Sequence, residues 1–80
     1  ADNSTVLSWI EDKDLTEDYF LELPRDVCYS EFSDWCKVSG IQAKNVTGKK
    51  TFFKEVTQKF DFEEKPQQKS DGKRYFILKI

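Results

Sequence analysis

A small α+β fold, with helices first and a β-hairpin last, is the architecture that this 80-residue sequence predicts, and three observations predict it. Apolar residues recur at helical spacing in "VLSWIED", "VCYSEFSDWCKV" and "TFFKEVTQKF". The last twenty residues change to alternation broken by turn residues. Seven Phe, three Tyr and two Trp supply the area for one modest core, which is what a single domain over residues 1–80 can build.

Asn3 and Ser4 are cap-type residues ahead of Val6, Leu7 and Ile10, which share one side, so a first helix is expected over about residues 4–12. "DKDLTEDYFLE" is compatible with a helical turn or a loop. In "LPRDVCYSEFSDWCKVSG" the signals agree: Pro24 suits the first helical position, Asp26 sits in the first turn, Lys37 lies near the end, and Gly40 is the stop. "IQAKNV" predicts a short extended segment with Ile41, Ala43 and Val46 inward. Thr47 is an N-cap candidate for a helix over about 48–60, whose stripe is Phe52, Phe53, Val56 and Phe60. "DFEEK" then predicts a strand with Phe60 and Phe62 on one side. "PQQKSDG" reads as a loop around Pro66 and Asp71-Gly72, and "KRYFILKI" as the closing strand.

The two cysteines, Cys28 and Cys36, are eight residues apart in the second long helix. At a rise of about 1.5 Å per residue they stand roughly 12 Å apart, too far for a disulfide, which needs Cα atoms within about 7 Å. With no His and no third Cys there is no zinc set, and no base stands ready to activate a thiol. Cys28, Tyr29, Phe32, Trp35 and Cys36 share an arc of about 120°, so the cysteines are expected as free, buried packing residues. Unpaired cysteines favour a reducing compartment, and a cytoplasmic location is expected. The sequence has no apolar run long enough to cross a bilayer and no basic-then-apolar leader. The triplets Asn3-Ser4-Thr5 and Asn45-Val46-Thr47 match a glycosylation pattern that is common by chance. A start at Ala with no Met anywhere points to a fragment of a longer protein.

Charge divides the chain. Residues 1–40 carry three bases against ten acids, a net of −7, and residues 41–80 carry ten bases against five acids, a net of +5. A basic half of this kind is suited to a polyanion, although two solvated faces of opposite sign would give the same count. On the 48–60 helix, the arc opposite the apolar stripe holds Lys50, Thr51, Lys54, Thr57 and Gln58, residue types that contact phosphates and base edges. "GKKT" at Gly48–Thr51 lacks the upstream glycine and the Ser/Thr of a phosphate-binding loop. Three helices followed by a hairpin form the winged-helix arrangement, in which the third helix can lie in the major groove of DNA and the hairpin reaches the backbone.

The pattern Tyr29, Phe32, Trp35-Cys36 and Gly40, then Phe52 or Phe53, then a hairpin ending "RYFILKI", resembles the C-terminal domain of phage, plasmid and poxvirus-type primase-helicases. In that family an archaeo-eukaryotic primase domain or its remnant precedes a superfamily 3 AAA+ helicase, and a winged helix closes the chain. The resemblance covers about residues 4–80. It implies a DNA-binding accessory domain that positions DNA for replication initiation, with the primase and ATPase chemistry in other domains. The first half is more acidic than simple DNA binding requires, which leaves room for docking to the helicase body or to another replication protein.

The expected DNA-facing set is therefore Thr47, Lys49, Lys50, Thr51, Lys54, Thr57 and Gln58 around the third long helix, and Lys65, Lys69, Lys73 and Arg74 on the wing. No catalytic residue, metal, cofactor, membrane or small-molecule substrate is expected; the partners are DNA and the rest of the parent protein. The rival is a protein-interaction module that docks through its acidic half. An enzyme is disfavoured, because the chain offers neither His nor an activated thiol nor a glycine-rich phosphate loop.

Overall fold

A computed structural model describes residues 5–65 and 67–79, and four helices and a two-stranded antiparallel hairpin make up its α+β fold. Helix α1, Thr5–Asp12, buries Val6, Trp9 and Ile10, the three-four spacing of one helical face. Its proposed caps, Asn3 and Ser4, lie outside the described residues. The ambiguous segment forms a short helix α2, Glu17–Glu22, that buries Phe20. Helix α3, Arg25–Val38, buries Cys28, Phe32 and Cys36. Pro24 is its N-cap rather than its first residue, and the Pro24 carbonyl accepts from the Cys28 amide at 3.1 Å. Helix α4, Lys49–Phe60, buries Phe52 and Val56, with Phe53 and Phe60 packed against the core from its edge.

Three of these helices stop in the same way. Asp14, Gly40 and Asp61 have φ of 52°, 79° and 58°, the left-handed conformation that ends a helix. The next residue in each case, Leu15, Ile41 or Phe62, sends its amide back to the carbonyl of Ile10, Cys36 or Thr57 at 3.0, 2.9 and 3.0 Å. Those three side chains turn into the core. Each stop therefore satisfies an orphan carbonyl and places an apolar anchor in one step.

Two expectations for the connections need correction. The segment after α3 is a 3-10 turn, Ala43–Asn45, and not an extended strand. Ile41 and Val46 are half-buried while Ala43 is exposed, because a turn of three residues per revolution does not alternate sides. The hairpin is also displaced from its predicted position. Strand β1 is Gln67–Gln68, inside the expected loop, and pairs with β2, Arg74–Tyr75, in the register Gln67↔Tyr75 and Gln68↔Arg74. The expected first strand at 61–65 contributes a single bridge, Phe62↔Leu78, and Phe60 belongs to α4. Pro66 lies outside the described residues. A further bridge, Pro24↔Tyr75, ties the hairpin to the entrance of α3.

Aromatic rings fill the core in edge-to-face, tilted and stacked contacts. Trp9 meets Tyr19, Phe20, Phe32 and Phe52 with centroids 5.5 to 6.0 Å apart. Phe32 stacks on Phe52 at 5.1 Å, and Phe62 on Phe76 at 5.2 Å. Trp35, expected in the stripe, is half-buried at its margin, and its indole N–H donates to Asp12 Oδ2 at 3.0 Å. Both cysteines are free and buried.

The two tryptophans should therefore differ in cost. Trp9→Ala should lose about 3–5 kcal/mol as a large core truncation, much of the stability of a domain this small. Trp35→Ala should lose about 1–2 kcal/mol for half-buried area and one exposed hydrogen bond. Urea unfolding ranks the two, and equal losses would place Trp35 in the core. Burial pushes the Cys28 thiol up to about 12 and raises Cys36 as well, so both stay protonated at neutral pH. A thiol reagent should find two free thiols in urea and neither in the native protein; fast native labelling would contradict the packing of α3.

Candidate nucleic-acid interface

Lys50, Lys54 and Thr57 follow one another at helical spacing along α4, on the side away from Phe52 and Val56. With Lys49, Gln58 and Phe53 of the same helix they line an open cleft of about 640 Å³, closed on its flanks by Arg25 of α3 and by Glu64. A second cleft of about 420 Å³ adjoins it and is lined by Arg25, Asp26, Lys49, Phe53, Gly72, Lys73 and Arg74. Arg25, Lys49 and Phe53 belong to both. The first turns of α3 and α4 and the tip of the hairpin thus meet at one place, and seven of the eleven nominated residues surround it.

The other four stand apart. Thr51 is exposed on α4 and Lys65 is exposed on the bend after it, and neither lines a cleft. Lys69 lies with its Nζ 4.2 Å from the Tyr75 ring centroid, outside both clefts. Thr47 is half-buried and is not the N-cap; Gly48 holds that position, and its carbonyl accepts from Phe52 N–H at 2.8 Å. The Thr47 carbonyl instead accepts from the Tyr29 hydroxyl at 2.9 Å, which fixes the α3–α4 connection to α3.

Charge at the junction is poorly neutralised. Among the described residues the one ion pair joins Lys49 Nζ to Asp26 Oδ1 at 2.6 Å. The Arg25 guanidinium lies over the Phe53 ring, 4.0 Å from its centroid, and its Nε is buried without a hydrogen-bond partner. Burial, and then the neighbouring Arg74 charge, lower the Arg25 pKa. The sequence did not single out Arg25, because its ring partner comes from another helix. One signal was available: a cation in the first turn of a helix opposes the helix dipole.

At the hairpin tip, Asp71 accepts from the Lys73 amide at 2.9 Å and from the Tyr75 hydroxyl at 2.7 Å. These bonds hold its carboxyl below the usual carboxylate range and push the Tyr75 hydroxyl up. Gly72, at φ 80°, closes the turn by donating to the Lys69 carbonyl at 2.9 Å. The basic side chains of the tip are therefore presented on an ordered turn.

On the opposite, acidic half, a groove of about 420 Å³ runs between α1, α2 and α3. Trp9, Lys13, Leu15, Tyr19, Glu31, Asp34, Trp35 and Val38 line it, and Val38 is 88% exposed.

The Asp71 contacts set a pH dependence for the tip. A carboxyl whose folded pKa is depressed stabilises above its unfolded pKa, and that contribution is lost as pH falls through the folded value. Protection of the Lys73 amide, its exchange measured against the intrinsic rate at the same pH, should be present at neutral pH and be lost only below the ordinary Asp range. Asp71→Ala should remove that protection at every pH; unaltered protection in that variant would show that Gly72 alone orders the turn.

No protein-family model matches this chain, and no curated protein and no solved structure matches it.

Proposed function

We propose that this domain is a winged helix that binds DNA: α3 and α4 form the helix-turn-helix, α4 enters the major groove, and the 67–75 hairpin is the wing. One observation carries the reading. Cations from three separate elements, Arg25 of α3, Lys49, Lys50 and Lys54 of α4, and Lys73 and Arg74 of the hairpin, surround one open face, and among the described residues that line it Asp26 and Glu64 are the acids. Such a concentration opposes folding by self-repulsion and gains its return when a polyanion arrives. Thr57 and Gln58, which also line the cleft, have the donors and acceptors that read base edges, while the lysines suit phosphates.

The resemblance to the closing domain of primase-helicases gives this binding a setting. The domain is then a non-catalytic accessory of a phage or mobile-element replication protein in the cytoplasm, positioning DNA for initiation beside the primase and helicase domains. A second reading, a docking module, draws support from the acidic groove, whose Val38 and Trp35 expose apolar surface next to Glu31 and Asp34. The helicase body or another replication protein would be its partner.

Two charge-matched variants decide between the readings. Lys50→Glu with Lys54→Glu should weaken duplex binding at least about tenfold at low salt, with folding retained, since both side chains are exposed. Lys13→Glu with Lys37→Glu changes net charge equally and should leave binding within about twofold. Equal losses in both pairs, or a wild-type domain with no salt-dependent binding to duplex or single strands, would replace DNA binding with docking. On the wing, replacing Lys73 and Arg74 by Ala should weaken all DNA sequences alike and leave the melting temperature nearly unchanged; a loss confined to one sequence would mean that the wing reads bases.

A further inference from the structure

Arg25 is half-buried, lines both clefts, and among the described residues has no ion-pair partner. Its Nε is withdrawn from water without an acceptor, a cost of the kind that buried polar groups normally avoid. The adjacent Asp26 carboxylate offsets this only in part, because its Oδ1 is engaged by Lys49. Arg74 adds repulsion from the hairpin side. The Phe53 ring offsets part of this through its face, with the guanidinium carbon 4.0 Å from its centroid, but a ring supplies no full negative charge. What the guanidinium itself lacks is a directly paired anion, and its planar fork, set between two open clefts, is suited to one with paired oxygens.

We propose that Arg25 is the phosphate anchor of this surface: one backbone phosphate of a bound duplex seats at the junction of the two clefts against the Arg25 guanidinium, with Lys49 and Arg74 beside it. This assignment rests on the DNA-binding reading and adds a residue from outside α4 and the wing. A phosphate there fixes the register between the groove-facing helix and the hairpin, because Arg25 adjoins both. The surrounding lysines favour a strand of regularly spaced phosphates over a single small anion.

The test compares wild type, Arg25→Met, Arg25→Lys and the Lys50→Glu, Lys54→Glu pair by fluorescence anisotropy with a labelled duplex at several salt concentrations. Arg25→Met keeps an apolar stem on Phe53; it should bind about tenfold or more weakly at low salt, with a log–log salt slope smaller by about one. Arg25→Lys should recover only part of the loss, because an ammonium has no fork. If Arg25→Met binds as wild type while the lysine pair is weakened, the anchor is wrong and the DNA reading stands. If wild type shows no salt-dependent duplex binding, both fail. Should Arg25→Met not fold, the wild-type Arg25 Nε–Hε resonance decides. It should move when duplex is added and stay nearly still with inorganic phosphate at equal ionic strength. No movement with bound duplex overturns the anchor, and an equal, saturable movement with inorganic phosphate alone makes the site one for small anions instead of nucleic acid.

Discussion

The Phe20 ring holds the two halves of this fold together. Alone, a helix of six residues and a hairpin with two paired residues on each strand would not persist in water, since nucleation costs exceed what so few hydrogen bonds return. Phe20 is fully buried from α2, meets Trp9 of the helical core at 5.9 Å, and meets Phe60, Phe62 and Phe76 at 5.1, 6.4 and 5.9 Å. The end of α4 and the base of the hairpin are thereby packed on the same ring. Together with the Pro24↔Tyr75 bridge, this contact sets where the hairpin tip falls relative to the first turns of α3 and α4. The junction of cations is a consequence of that packing and not of any attraction among its members.

The core itself is entirely apolar among the described residues, with no buried polar or charged side chain. Rings and small thiols make a densely interlocked interior that asks nothing of the charged residues, so the surface is free to carry an uneven distribution. Opposite signs on the two halves need not be interleaved for stability. Exposed pairs are worth little in any case, and among the described residues one forms. Clustering of like charge at the clefts is therefore tolerated at modest cost, which is the physical condition for a polyanion-binding face on a chain of net charge −2.

The parts legible in the sequence were those with a repeated pattern. Helices α1, α3 and α4 showed their apolar stripes, Gly40 showed its stop, and the exposed arc of α4 followed from the buried one. Asp14 and Asp61 end helices as Gly40 does, yet aspartate adopts the left-handed conformation only by local context, so composition gave no warning. Gln67 and Gln68 are both exposed and carry no alternation, and a two-residue strand has no period to detect. Trp35 and Cys36 are adjacent on one helix, but a shift of 100° is enough to move a ring from the centre to the margin. The pairing of Arg25 with Phe53 joins residues far apart in the chain and depends on the crossing of α3 and α4, which no window of sequence contains.

Lys49 and Arg25 differ in a way that bears on the proposed phosphate contact. The Lys49–Asp26 pair is short, but its side chains are 51% and 74% exposed, and such pairs contribute about 0–1 kcal/mol. Lys49 can leave Asp26 for a phosphate at little cost, and Asp26 meanwhile tempers the repulsion among its neighbours. Arg25 has no such ion-pair partner among the described residues; its guanidinium lies over the Phe53 ring, which restricts its rotamers before an anion arrives. One cation is thus exchangeable and the other preorganised. A preorganised group sets the geometry of a complex, and an exchangeable one adds attraction without dictating position, which is why, under the proposed DNA binding, the register of α4 and the hairpin should depend on Arg25 more than on any of the more numerous lysines.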